Sequence, residues 1–160
     1  SKTFNLAGLV GSYHIIYKET LRDRVCAGSN KTHYNEMNVL SMHALIGAYQ
    51  PQGYEWVDEL NQVLAGNIEY FCTYAEKHWK GVAFSRPQGT YMVFLDCTEW
   101  CREHGRDIQW LLDEGARVGV GYQDGRPFHG PCHIRVNLAL PLSRVREACD
   151  RLDRYVFNAR

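Results

Sequence analysis

Across residues 54–78 the apolar positions Trp56, Val57, Leu60, Val63, Leu64, Ile68, Phe71, Cys72 and Ala75 recur at three- and four-residue spacing. That is the period of one helix face, sustained over an unusually long span. Gly66-Asn67 marks a place where such a helix can bend. Behind it, short apolar runs alternate with helical patterns. Residues 82–85 read as a short strand, and Arg86-Pro87-Gln88-Gly89 as a turn. Residues 90–97 read as a strand whose nearly continuous hydrophobicity predicts burial on both faces. Asp107 is placed to cap a helix that runs through Ile108, Leu111 and Leu112 and stops at Gly115. Residues 116–122 read as a strand, 123–131 as a loop and 132–140 as a strand. Ser143 is placed to cap a last helix with Val145, Ala148, Cys149, Leu152 and Tyr155 on one face. Helices against a sheet make a two-layer α/β sandwich.

The earlier residues are less regular. Residues 11–17 have strand-like composition. Residues 18–24 read as a short helix or turn and 27–32 as a loop. Residues 34–49 are apolar on nearly every side, which marks a buried helix. Its cover is either the rest of this chain or another domain, and in the second case the chain presents a sticky face.

A chain of 160 residues accommodates about one domain with a real core. Eighteen basic residues balance eighteen acidic ones, so no net field attracts nucleic acid or an anionic membrane. No apolar run approaches the roughly 20 residues of a membrane span. With no secretory leader pattern, the default placement is cytoplasmic. The six cysteines are scattered through apolar segments and read as reduced, mostly buried thiols. Cys97 with Cys101, and His129 with Cys132 and His133, are close in sequence, but neither spacing is a regular zinc pattern, so no metal is assigned. No serine–histidine–acid order supports a hydrolase, and no glycine loop of phosphate-binding type is present.

Two side chains stand out. Lys2 lies in Ser-Lys-Thr-Phe-Asn-Leu-Ala-Gly-Leu. A desolvated lysine loses its charge readily, and a neutral amine forms a Schiff base with an aldehyde. On chemistry alone the plain reading of Lys2 is a solvated lysine. Arg135 is the one charged residue of an apolar strand, with Ile134 and Val136 directed to the opposite face. A buried cation needs a partner, either a structural salt bridge or a ligand carboxylate that matches the guanidinium fork.

The stretch around Lys2 resembles the cofactor-lysine segment of fold-type-I pyridoxal phosphate (PLP) enzymes. Within the class I/II aminotransferase family it is most similar to the MalY/PatB-type cystathionine β-lyase, or C–S lyase, branch. Gly89-Thr90-Tyr91-Met92-Val93-Phe94-Leu95-Asp96 and His133-Ile134-Arg135-Val136-Asn137-Leu138-Ala139-Leu140-Pro141 resemble two further segments of that branch, in the same order. The resemblance covers essentially the whole chain and implies the C-terminal portion of a larger enzyme. Residues 1–52 would be the end of the large PLP-binding domain. Residues 53–160 would be the inter-domain helix and the C-terminal small domain. Lys2 would carry PLP and act as catalytic base, and Arg135 would bind the substrate α-carboxylate. Val10 stands eight residues after Lys2, where many fold-type-I enzymes have a phosphate-binding arginine; the lyase branch commonly lacks it. The implied activity is β-elimination from cystathionine or a cysteine S-conjugate, giving a thiol, pyruvate and ammonia, in a homodimer acting on a small amino acid. The alternatives are an aminotransferase of the same fold, or a non-catalytic folded C-terminal domain. The chain by itself is expected to be inactive. Among weaker candidates, Asn5 and Tyr13 read as framework, Asp124 as a turn residue, and His14, His33 and His129 as surface or core histidines.

Overall fold

A computed structural model describes residues 2–32 and 36–159. His33 and Tyr34, named above, lie outside the described residues. Contacts divide the chain into two compact units, Ser1–Leu60 and Asn61–Arg160.

The first unit opens with a turn in which the Asn5 N–H donates to the Lys2 carbonyl at 3.2 Å. A 3₁₀ turn over Ala7–Leu9 follows and is closed by Val10 in the left-handed region (φ 51°). Residues 11–17 form no strand, because no segment pairs with their backbone. Helix α1, Glu19–Thr32, takes the helical option expected for 18–24 and extends it through 27–32, where a loop was expected. A single Gly28 costs a helix only about 1 kcal/mol, too little to end it. Helix α2, Val39–Ala48, begins at Asn38, whose side chain accepts from the Ser41 N–H at 2.8 Å. Ala44, Leu45 and Ala48 are half-buried. Val39, Leu40, Met42 and Ile46 are exposed, and Ser41 is the buried residue of the helix.

Helix α3, Pro51–His78, starts at a proline, a residue preorganised for a first helical turn. It runs unbroken through Gly66-Asn67 into the second unit. There Phe71, Cys72 and Ala75 enter the core. The sheet of this unit is three-stranded and antiparallel, in the order β1 (Met92–Asp96), β3 (His133–Asn137), β2 (Gln123–Asp124). Burial alternates along β1 and β3. Val93, Leu95, Ile134 and Val136 face the core, while Met92, Phe94, Asp96, His133 and Arg135 stay half-buried. The expectation that 90–97 is buried on both faces is therefore corrected: helices cover one face only.

Three helices supply the other layer. Helix α4, Thr98–His104, was not foreseen; it contributes Trp100 and Cys101 to the core. Helix α5, Ile108–Arg117, starts where Asp107 accepts from the Trp110 N–H at 2.8 Å, and ends two residues beyond Gly115. Helix α6, Leu142–Leu152, buries Val145, Cys149 and Leu152. Ser143 does not cap it, since the helix already begins at Leu142 after Pro141. A π-helical turn over Asp153–Phe157 extends it, which buries Val156 and Phe157 and leaves Tyr155 exposed. Two expected strands are absent. Residues 82–85 make an isolated bridge, Ala83 to Asp96. Residues 116 and 117 finish helix α5, and 118–122 form a turn and loop with Gly119 at φ 76°, from which the Tyr122 hydroxyl donates to the Leu111 carbonyl. The second unit is thus a two-layer α/β sandwich with one sheet face open.

Candidate functional site

Arg135 occupies the middle of the central strand, on the open face. The register sets it opposite Phe94 on β1 and Gln123 on β2. Its Nε donates to Gln123 Oε1 at 2.7 Å, and its Nη2 donates to the same oxygen. Its Cζ lies 4.0 Å above the Phe128 ring centroid, a cation–π contact. Among the described residues Arg135 forms no ion pair with a carboxylate. The structural salt bridge that sequence alone allowed is therefore absent; a neutral amide and a ring hold the cation.

The loop that delivers Phe128 is closed tightly on β3. The Gly125 N–H donates to the His133 carbonyl at 2.8 Å, and the Gly130 N–H to the Gly125 carbonyl at 3.1 Å. A Cβ on Gly125 would collide with the His133 carbonyl oxygen, so the close approach requires glycine. Asp124 accepts from the Arg126 backbone N–H at 2.9 Å and pairs with its guanidinium at 2.7 Å. That sets the 3₁₀ turn Arg126–Phe128. Asp124 is thus a turn residue beside the site. His129 is exposed with φ 62°. His133 stacks against Phe94 with centroids 4.6 Å apart, its Nε2 3.8 Å from Asp96 Oδ2. At the far end of the strand, Asn67 is 1 % exposed and donates from Nδ2 to the Leu138 and Leu140 carbonyls at 2.9 and 2.8 Å.

Lys2 belongs to the first unit and is exposed. The residues after it line a cleft of about 300 Å³, among them Thr3, Phe4, Ser12, Tyr13, Ser41 and Tyr49. Among the described residues that line it, none is cationic or acidic. Phe4 meets Tyr49 edge to face at 5.2 Å. Tyr13 lines the cleft, Asn5 holds a left-handed turn (φ 54°), and His14 and Val10 are exposed. Cys97, Cys101 and Cys149 are buried, and burial pushes the thiols of Cys101 and Cys149 up to about 12. Cys132 is half-buried and hydrogen-bonded to Cys101, and Cys26 is exposed. Among the described residues no three His, Cys, Asp or Glu side chains are placed to hold a metal ion, and no helix is long and apolar enough to cross a membrane.

Sequence reading singled out Lys2 and Arg135 and passed over Gln123 and Phe128, which the structure sets against Arg135. Nothing local marks them, because their role depends on a strand register and a loop closure set by the fold.

No protein-family model matches the chain. It is 30 % identical to Protein MalY of Escherichia coli (strain K12) over 150 residues, covering 92 % of this chain and 37 % of that protein. It is 25 % identical to cystathionine β-lyase PatB of Bacillus subtilis (strain 168), covering 95 % and 39 % of the two chains. The structure of a PLP-bound C–S lyase from Staphylococcus hominis superposes with a TM-score of 0.80 at 27 % identity, over 95 % of this chain and 38 % of that one. The chain spans about two fifths of the length of the relatives it matches.

Proposed function

The chain belongs to the MalY/PatB branch of the fold-type-I PLP enzymes, and from that premise we propose that the whole protein is a PLP-dependent C–S β-lyase. The reaction is L-cystathionine, or another cysteine S-conjugate, plus water giving a thiol, pyruvate and ammonia. The observation that carries the substrate side is Arg135: a cation on an open sheet face, held in place by neutral groups and by no carboxylate. Such a guanidinium suits the α-carboxylate of an amino acid.

Pyridoxal phosphate, when bound, supplies the sink for the electron pair left at the substrate Cα. The residues of this chain that would hold it are Lys2 and, beside it, the hydroxyls of Thr3 and Ser12 on the cleft. The exposed Lys2 amine fits an aldehyde. The uncharged cleft supplies no cation for a phosphate. In this reading Lys2 Nζ would hold the cofactor aldehyde and would supply the base for the Cα proton. Arg135 would hold the substrate α-carboxylate with paired N–H donors. Residues 1–52 are the end of the large domain and 53–160 the inter-domain helix and small domain. The whole protein acts as a cytoplasmic homodimer, and the 160-residue stretch alone does not turn over substrate.

The test is borohydride reduction of the PLP-loaded whole protein, adduct mapping by mass spectrometry, and pyruvate release from L-cystathionine. A single adduct at Lys2, and loss of at least about 10³-fold in kcat for Lys2→Ala, is expected. Adducts spread over several lysines, or an active Lys2→Ala protein, would overturn the assignment.

A further inference from the structure

We propose that Gln123 and Phe128 are positioning residues that present one chosen edge of Arg135 to the substrate carboxylate. The inference rests on the reading of Arg135 given above. A guanidinium has two edges that can grip a carboxylate with parallel N–H bonds: the side edge, Nε with Nη2, and the end edge, Nη1 with Nη2. Gln123 Oε1 accepts from Nε and Nη2 together, so it occupies the side edge. Phe128 covers one flat side of the group at 4.0 Å. What remains for a ligand is the end edge and the uncovered flat side. Only the end edge offers paired donors.

The chemistry of the holder matters as much as its place. A carboxylate at position 123 would also bind the side edge, but it would neutralise Arg135 and compete with the incoming carboxylate. An amide oxygen orients the guanidinium without cancelling its charge. The ring of Phe128 does likewise: it attracts the cation through its quadrupole and takes up none of its N–H donors. Phe128 is 45 % exposed and lies outside the core, with its ring against Arg135. Both residues are brought to Arg135 by features of the fold, the β2–β3 register and the Gly125-closed loop.

The experiment compares wild type with Gln123→Glu, Gln123→Leu, Gln123→Asn, Phe128→Leu and Arg135→Ala in the PLP-loaded whole protein. It measures KM and kcat for L-cystathionine together with thermal midpoints. Expected are a KM raised about tenfold or more by Gln123→Glu, severalfold by Gln123→Leu and Phe128→Leu, and nearer wild type for Gln123→Asn. In these variants kcat should stay within about threefold and the midpoint should be unchanged. A second readout needs no cofactor. In the 160-residue chain the Arg135 Nε–H resonance should exchange slowly with water, and exchange should quicken in Gln123→Leu. If Arg135→Ala raises KM about 100-fold while the position 123 variants leave KM and exchange unchanged, the positioning role is wrong and the carboxylate reading stands. If Arg135→Ala leaves KM unchanged, the carboxylate reading fails and this inference fails with it.

Discussion

At the residue scale the site depends on polar groups whose partners lie far away in sequence. Asn67 is the buried example. It reaches from α3 to two carbonyls just past β3, 71 and 73 residues along the chain. Asn67 is 1 % exposed, and its bond to the Leu138 carbonyl is buried while the one to the exposed Leu140 is only partly so. Asn67→Ala is expected to lower unfolding stability by about 2 kcal/mol, from two lost hydrogen bonds and a small cavity. Urea denaturation would check this, and a change under about 0.5 kcal/mol would mean the carbonyls find other donors. Arg135 shows the complementary case. Its face of the strand was legible from Ile134 and Val136 on either side, both buried. Its holders were not, because no rule of spacing links position 123 or 128 to 135.

At the scale of elements, local signals were reliable where the element needs only itself. The period across residues 54–78 became α3, and the N-cap at Asp107 became the start of α5. That cap gives a direct test. Asp107→Ala removes the acceptor 2.8 Å from the Trp110 N–H and should cost about 1 kcal/mol, read as a lower thermal midpoint. Asp107→Asn should restore most of it. Strand composition was a poor guide by comparison. Residues 11–17 and 116–122 both have it, and neither forms a strand. A strand exists only where another backbone pairs with it, and composition does not reveal whether one arrives. Helix α4 was hidden because it spans only Thr98–His104, too short a window for a period to show.

At the scale of the whole molecule, the buried apolar residues run from Phe71 to Phe157 and all lie in the second unit. Four of them, Cys72, Cys97, Cys101 and Cys149, are thiols whose ionisation burial shifts upward. Burial raises Cys97 far above the usual thiol range and pushes Cys101 and Cys149 up to about 12. Tyr122, also raised chiefly by burial, belongs to the same group. In the unfolded chain a thiol ionises near pH 8.5. Below that pH both states keep the proton and stability does not change. Above it the unfolded chain releases protons that the native state retains, so stability falls as pH rises. Thermal midpoints should be flat from about pH 7 to 8 and fall steadily above about pH 9. A midpoint that holds to pH 11 would show these thiols ionise freely in the native state.

The sequence by itself determined what is local or carried in a continuous motif: the long helix, the cap at Asp107, the segment around Lys2, and the face of the strand on which Arg135 sits. These follow from backbone periodicity and from contacts between near neighbours. Only the tertiary structure decided that one sheet face stays open, that Val39, Leu40, Met42 and Ile46 of α2 lie exposed, and that Gln123 and Phe128 contact Arg135. Those outcomes depend on which distant segments meet. Antiparallel register, loop closure at a glycine and competition among strands for partners settle that jointly, and no single stretch of the chain encodes it.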